Sequence, residues 1–453
     1  MPAPHVLAVS AGVKRPGTAL TLVLALSGCM GGYGPDVTKF GFGAGTRPDQ
    51  ASLAPGGELA RSGQASAQGS AIIGDLAARQ SVLPTVGPYA DVAQAVIEAN
   101  AGPARAELRV ARLRAEARSQ NWLPTLSPTL SLTDLGEAAA SLLLEQVLFD
   151  GGGRKAERAF AAADVEVAAT TLSLDFNQRV FEGLGHYLRA QRALEQARLA
   201  EAAVGRMAEF ERIVGIRLEG GMSDRSEQQV IAQKAAEMRA KMNDDRFQAQ
   251  QAMAELNAMS ARPLDGLSGL QPLPADPGAP EPLSVVKARA EAARMMAEAD
   301  MARSGYAPKL TAAAAMDHKG NAESGLSVEF DNALGLGTGA ALDAIAASRD
   351  VADRRVAQTS EAANRDLVAL QQEIATLTAR EAEGRAVLGQ TEATLHMFTE
   401  QYKVGRRTLM ELVNMFESYS AMEREMAGLK YEIALKRLQI ARDRGVLVNG
   451  ALL

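Results

Sequence analysis

One cysteine, Cys29, and four histidines are the only thiol and imidazole metal ligands in 453 residues. His5, His186, His318 and His396 stand far apart, so no zinc site and no disulfide framework can be assembled. Aromatic residues make up 4% of the chain, with a single Trp, too few for the usual deep core of a compact enzyme domain. No nucleophile–base pairing stands out, and no Gly-rich loop links a strand to a helix as phosphate binding would require. A net charge of −6 gives no nucleic-acid footprint. Neither enzymatic activity, nor a metal, nor a cofactor is expected. What is plentiful is Ala, close to a fifth of the residues. Side chains that small suit helices packed at close range.

Residues 14–29 read Lys-Arg-Pro-Gly-Thr-Ala-Leu-Thr-Leu-Val-Leu-Ala-Leu-Ser-Gly-Cys. Two positive charges precede an apolar run of about ten residues, too short to span a bilayer and suited to a signal sequence. The run ends in Leu26-Ser27-Gly28-Cys29, which resembles a bacterial lipobox. Residues 1–28 are therefore expected to be a lipoprotein signal peptide, with Cys29 as the lipidated residue. A secretory leader with an incidental Cys is the alternative. Met30 follows the Cys; an Asp there commonly retains lipoproteins at the inner membrane, so outer-membrane sorting is favoured. Residues 29–87, rich in Gly, Ala, Ser, Gln and Pro, read as a flexible tether.

The body of the chain resembles itself. Trp122-Leu123-Pro124-Thr125-Leu126 has a counterpart in Tyr306-Ala307-Pro308-Lys309-Leu310, an offset of 184. Phe149-Asp150-Gly151-Gly152-Gly153 matches Leu334-Gly335-Leu336-Gly337-Thr338 more loosely, and Arg217-x-x-Gly220-x-x-Ser223 matches Tyr402-x-x-Gly405-x-x-Thr408, both at 185. Two tandem repeats follow, 88–262 and 282–447, separated by a Pro-rich linker at 263–281 and followed by a tail at 448–453. Each repeat has the order helix, β-hairpin, long helix, helix. The hairpins are placed at about 123–149 and 307–334, and the first helix of repeat one at 90–121.

The first long helix carries Ala161, Val165, Ala168, Leu172, Phe176, Val180, Gly183, Tyr187, Ala190, Leu194 and Ala197 on one face, at steps of three and four. Its counterpart spans about 338–403, and each helix is on the order of 95–100 Å long. The last helix shows a stripe of Met415, Tyr419, Met422, Met426, Leu429 and Ile433. All of these positions read as coiled-coil core.

The strands alternate. Leu126, Pro128, Leu130 and Leu132 lie opposite Thr125, Ser127, Thr129, Ser131 and Thr133, and Leu326, Val328 and Phe330 alternate with Ser327, Glu329 and Asp331. This pattern fits a membrane strand with a wet lumen. A soluble hairpin with its apolar face on a core is the alternative, but the neighbouring segments are helices that lead away. The second strand, with Leu142, Leu143 and Leu144 in a row, does not declare its facing. Four strands cannot close a barrel, so a membrane location requires several chains to share one.

The element order, the duplication, the junction Phe149-Asp150-Gly151-Gly152 and the turn Tyr402-Lys403-Val404-Gly405 resemble the TolC family of outer-membrane efflux and secretion ducts. The lipobox resembles the OprM-like lipoprotein branch of that family. The resemblance implies a mainly α fold with a small β component, assembled as a homotrimer with a shared twelve-stranded barrel and a periplasmic helical tunnel. It implies outer-membrane lipid around the strands, a periplasmic adaptor protein, and an inner-membrane pump of the RND or ABC type. Tyr402 matches the gate tyrosine, Arg407 the arginine past the turn glycine, and Glu411 an acidic ring. Asn414 falls where a second acidic ring is usual, a departure that weakens an expected cation site at the entrance; Ser226 takes another position often acidic, though Asp224 and Glu227 adjoin it. Gly220, Val404, Gly405 and Arg406 form the turns where the adaptor would dock. Read without the resemblance, Arg406, Arg407 and Glu411 could be an ordinary solvated helix-tip charge set. The competing reading of the whole chain is a lipid-anchored coiled-coil spacer with soluble hairpins.

Overall fold

The computed structural model describes residues 70–132, 138–274, 280–318 and 320–452. Cys29, the leader, Asp134-Leu135-Gly136 and Lys319 lie outside the described residues, as does the side chain of Leu132. Within them the chain runs α1 (Ala71–Ala78), α2 (Pro88–Glu98), α3 (Ala104–Ser119), β1 (Thr125–Leu132), β2 (Ala138–Phe149), α4 (Gly153–Glu219) and α5 (Arg225–Ala258). It continues through α6 (Leu283–Ser304), β3 (Pro308–Asp317), β4 (Ala322–Phe330), α7 (Thr338–Lys403) and α8 (Leu409–Asp443) to a short 3-10 turn, Gly450–Leu452. The order helix, hairpin, long helix, helix thus occurs twice. No helix among the described residues is long and apolar enough to cross a membrane.

α4 and α7 are 67 and 66 residues long. Neither contains Pro, and Ala recurs throughout both, so nothing in them interrupts helix propagation. α4 starts abruptly because Asp150 accepts from Gly152 N at 3.1 Å and from Arg154 N at 2.7 Å. Gly151 and Gly152 take left-handed φ values of 62° and 96°. A Cβ on Gly151 would also fall 2.3 Å from that of Ala307. The Phe-Asp-Gly-Gly run is therefore a strand-to-helix corner that only this residue order makes without strain.

The main core surrounds the middle of α4. Leu172, Phe176, Val180, Leu184 and Tyr187 are buried there against Val92 and Val96 of α2, Leu256 of α5 and Leu438 of α8. Gly183 lets α2 approach: a Cβ there would lie 2.8 Å from Val96 Cγ2. Arg179 closes two helix ends at once, donating to Val96 O, Ala99 O and Met259 O. A second core at the far end of α4 joins Met207, Phe210 and Val214 to Ile231, Leu409, Val413 and Phe416.

Several sequence expectations are corrected. The helix placed at 90–121 is two helices, because Asn100-Ala101-Gly102-Pro103 breaks it and the Asn100 side chain accepts from Gly102 N. The end of the supposed tether is packed: α1 buries Leu76, and Val82 N donates to Val446 O. Arg79, itself buried, donates to Arg444 O and Glu281 O, tying that segment to both the linker and the C-terminal end. The linker is likewise held down, with Leu264 and Leu273 buried and Gly269 O accepting from the Tyr187 hydroxyl at 2.7 Å. Nor are the described residues of the tail, 448–452, free: Val448 is buried, and a Cβ on Gly450 would strike Leu76 O.

The helix stripes also shift. Along α4 the seam passes through Ala193 rather than Leu194, which is exposed, because a step of three is needed there. Along α8 the buried line runs through Leu412, Val413, Phe416 and Ser420, leaving Met415, Tyr419, Met422 and Met426 half-buried beside it.

Candidate functional site

Two regions hold the sequence-predicted residues: the sheet and the helix tips. The sheet is antiparallel throughout, in the order β1-β2-β3-β4, which leaves β1 and β4 as its edges. Register decides the faces. Leu126 pairs Leu144 and Pro128 pairs Leu142; Leu142 pairs Met316 and Leu144 pairs Ala314. Ala312 pairs Leu326, and Leu310 pairs Val328. Leu126, Leu130, Leu142, Leu144, Met316, Leu326, Val328 and Phe330 therefore share one face. A bulge between Val147 and Phe149 adds the latter to it, opposite Leu310. Across the described side chains, this face carries no ionisable residue.

The other face carries Thr125, Ser127, Thr129, Ser141, Glu145, Lys309, Thr311, Asp317, Glu323, Ser327 and Glu329. Burial runs opposite to that of a soluble sheet. Leu130 is 73% exposed, Leu326 70% and Val328 64%, whereas the buried strand residues, Thr311 and Val147, both lie on the polar face. The sheet is inside-out with respect to water. The doubtful second strand is resolved by its pairing: Leu142 and Leu144 point to the apolar face and Leu143 away from it.

The tips are two α-turn-α corners. At the first, Gly221 has φ 70°, Met222 N donates to Arg217 O at 2.8 Å and Gly221 N to Leu218 O at 3.0 Å. At the second, Gly405 has φ 72°, Arg406 N donates to Gln401 O at 2.8 Å and Gly405 N to Tyr402 O at 3.0 Å. Both are Schellman closures. The hydrogen bonds align Gly221 with Gly405, Asp224 with Thr408 and Glu227 with Glu411, an offset of 184. This corrects the match drawn from sequence. Gly220 caps α4 at φ −78° and is not the left-handed residue; the partner of Tyr402 in repeat order is Leu218, not Arg217. The adjacent pair Gly220-Gly221 hid the choice.

Arg217 instead meets Tyr402 in space. Its Nη1 donates to the Tyr402 hydroxyl at 3.2 Å, and its guanidinium lies 5.8 Å from the ring centroid. Arg407 donates to Glu411 at 2.7 Å and to Gln401 at 3.0 Å, and stacks 4.3 Å over the ring centre of Phe398. Glu411 is also the N3 residue of a capping box: its second oxygen accepts from Thr408 N at 2.8 Å, while Thr408 Oγ1 accepts from Glu411 N at 3.2 Å. The Thr408 amide, and then the Arg407 guanidinium, hold the Glu411 carboxyl below its ordinary pKa.

Ser226 donates to Asp224, the cap of α5, at 2.5 Å. That bond, together with the Glu227 amide, lowers the Asp224 pKa. Asn414 is exposed one turn beyond Glu411. Val404 and Met222 project from the two corners, 69% and 67% exposed, beside an exposed Arg406. Phe398, Gln401 and Thr408 were not anticipated. The pattern Thr408-x-x-Glu411 could have revealed the capping box, whereas nothing local signals that Phe398 lies under Arg407.

The fold is that of outer-membrane channels of known structure. A membrane protein from Pseudomonas aeruginosa matches 82% of this chain over 92% of its own length, with a TM-score of 0.70 and 16% identity. The outer-membrane protein VceC of Vibrio cholerae matches 79% over 96% of its length (TM-score 0.67, 16% identity). The open state of the Neisseria gonorrhoeae outer-membrane channel MtrE matches 84% over 89% (TM-score 0.62, 14% identity). The mainly α fold with a small β component, expected from the resemblance to the TolC family, is thus the fold found. The sequence matches no family model and no curated protein.

Proposed function

We propose that this chain is one third of an outer-membrane duct: a homotrimer whose three sheets close one barrel and whose helices continue it as a tunnel through the periplasm. The inside-out sheet carries this reading. Leu126, Leu130, Leu326 and Val328, all more than half exposed and with no charge among them, suit contact with hydrocarbon. Such a sheet cannot keep two open edges in hydrocarbon, so β1 must meet β4 of another copy.

The duct is passive. An inner-membrane pump of the RND or ABC type, joined through a periplasmic adaptor, supplies the energy, and Cys29 adds a lipid anchor. The adaptor docks on the corners bearing Gly220, Val404, Gly405 and Arg406. The gate lies beside them, at Tyr402, Arg407 and Glu411, with Ser226 and Asn414 at its rim. Arg217 on Tyr402 and Arg407 on Glu411 support that assignment. The first joins the tips of α4 and α7 and the second braces the α7–α8 corner, one arrangement that a partner could exchange for another.

The test is the mass and shape of the Cys29→Ala protein purified in detergent, followed by planar-bilayer recording. A trimer that aggregates without detergent and conducts ions is expected. A thin monomer or dimer that stays soluble without detergent would leave the coiled-coil spacer as the better account. Arg407→Ala should raise basal conductance; unchanged conductance in folded trimers would remove the gate from this corner.

A further inference from the structure

Resting on the duct reading, we infer that neighbouring copies are matched by a charged helix seam beside the helix end of the barrel. In it α3 of one copy lies against α7 of the next, with Arg109 and Arg105 facing Asp350 and Asp353. The two halves of the chain supply the template. α4 is flanked by α3 of its own half and α6 of the other, while α7 packs mainly on α6 and α8. The side of α7 that repeat order would give to α3 stays exposed. α3 in turn buries Ala104, Leu108 and Ala111 in the core around α4 and exposes Ala106, Val110, Leu113 and Ala117 on its opposite side. α7 exposes Ala340, Ala344, Ala347 and Val351. Both stripes follow the spacing i, i+4, i+7, i+11, and small residues on α7 leave room for Val110 and Leu113.

The register comes from the equivalent contact inside the chain. Between α4 and α6, a Cβ on Gly153 would lie 2.8 Å from Ser304 Oγ, and Arg294 donates to Asp164 at 3.0 Å. Carried over by the repeat offsets of 185 and 184, these pairs set Thr338 beside Gln120 and Arg349 beside Val110. Arg109 then falls level with Asp350, and Arg105, one turn away, with Asp353. Helical rotation puts the charges on matching flanks. Arg105, Arg109 and Arg112 follow one edge of the α3 stripe, and Asp343, Asp350 and Asp353 one edge of the α7 stripe. In an antiparallel pair of right-handed helices these edges lie on the same side. Arg105, Arg109, Asp350 and Asp353 are all exposed. Arg105 stacks over Phe176, and Asp350 accepts from Arg354 through one oxygen, so donors and an oxygen remain for a partner. Arg349 is turned to Asp300 of α6. Opposite charges so placed decide which surfaces meet, and in what register, more than they add affinity.

The experiment uses the full-length Cys29→Ala chain, which keeps no other cysteine, in detergent. Arg109→Cys with Asp350→Cys, treated with a short bis-maleimide, should give covalent dimers and trimers on a denaturing gel, and either variant alone only monomers. Arg109→Cys with Val368→Cys, five turns farther along the same face of α7 and about 27 Å away, should give none. Arg105→Glu with Arg109→Glu should lower the trimer fraction at least about twofold. Adding Asp350→Lys and Asp353→Lys to that chain should restore it, because every seam then carries both reversals. Assembled trimers that fail to cross-link at the first pair, or that cross-link equally at Val368, would overturn the inference while leaving the duct intact. So would arginine reversal without effect on assembly, or a loss that the aspartate reversal does not recover. A wild-type chain that stays monomeric in detergent would overturn the duct reading and this inference with it.

Discussion

The two long helices are nearly equal in length and occupy the same place in their halves of the chain, yet they are buried very differently. α4 has twenty-five buried residues, among them Leu172, Phe176, Leu184 and Tyr187. α7 has three, Ala352, Leu370 and Gly384, and exposes Val351, Val368, Val387 and Met397. Helix α4 is packed by α1, α2, α3, α5, α6 and α8, whereas α7 packs mainly on α6 and α8 and reaches α4 near the tip, where Tyr402 meets Arg217. One helix has found its core within the chain. The other presents a face that a single chain cannot cover, as the apolar face of the sheet does. Burial in this protein is extensive on one helix and sparse on the other.

The sharpest way to break that comparison is to cut equally into both helices. Phe176→Ala should cost about 3–5 kcal/mol of stability, the usual range for emptying a buried aromatic site. Val368→Ala on α7 should stay within about 0.5 kcal/mol. Thermal unfolding of the dissociated chain in detergent measures both. Val368→Glu should spare the dissociated chain and reduce the trimer fraction seen by light scattering. A trimer unaffected by that charge would mean that this stretch of α7 faces water in the assembly.

Next in size is a charge pair on the well-packed side. Arg424 of α8 lies 2.7 Å from Asp245 of α5, whose side chain is 5% exposed. Arg424→Ala strands a buried carboxylate and should cost about 3–5 kcal/mol, while an apolar replacement of both partners should cost much less. Burial already pushes the Asp245 pKa up, against the pull of Arg424. A double variant as unstable as Arg424→Ala alone would show that packing, not charge, accounts for the loss.

Two glycines allow one substitution to be read on both helices. A Cβ on Gly183 of α4 would lie 2.8 Å from Val96, whereas one on Gly389 of α7 meets nothing within 4 Å. Gly183→Ala should destabilise by about 1–3 kcal/mol through overpacking. Gly389→Ala should stabilise by about 0.5–1 kcal/mol through helix propensity. Equal losses at both sites would erase the distinction between the helices as far as a single chain is concerned.

How much of this was legible follows from where the information is stored. Strand alternation is a local, period-two signal, so the exposed face at Leu126, Leu130, Leu326 and Val328 could be read directly. β2 could not, because three adjacent leucines defeat alternation and only pairing with β1 and β3 assigns them. Long helices without Pro were legible, but the burial line drifting from Leu194 to Ala193 reflects helices packed from several sides. The order in residues 70–87 was not legible at all. A low-complexity stretch becomes packed only because Arg79 finds carbonyls more than two hundred residues away. At the tips, residue types pointed to Arg407 and Glu411, but the two-glycine corner concealed the register until its hydrogen bonds were seen.

The smallest effect concerns the two corners themselves, which are alike in backbone and unlike in chemistry. Asp224 caps α5 with a carboxylate, and Thr408 caps α8 with a hydroxyl that works jointly with Glu411. Thr408→Ala should cost about 1 kcal/mol, as loss of a helix cap usually does. The pH dependence has a definite sign. Because the folded chain holds the Glu411 carboxyl below its ordinary pKa, its contribution is complete above that ordinary value. It is lost as pH falls through the lowered one. Asp224 behaves in the same direction, through Ser226 and the Glu227 amide. Amide exchange of residues 409–413, corrected for intrinsic rates, should therefore accelerate on acidification in the wild type and be fast already at neutral pH in Glu411→Gln. Exchange at residues 225–229 should respond to acid but not to that substitution. If Glu411→Gln loosened both corners equally, the contacts between Arg217 and Tyr402 would be coupling the tips more tightly than their own caps hold them.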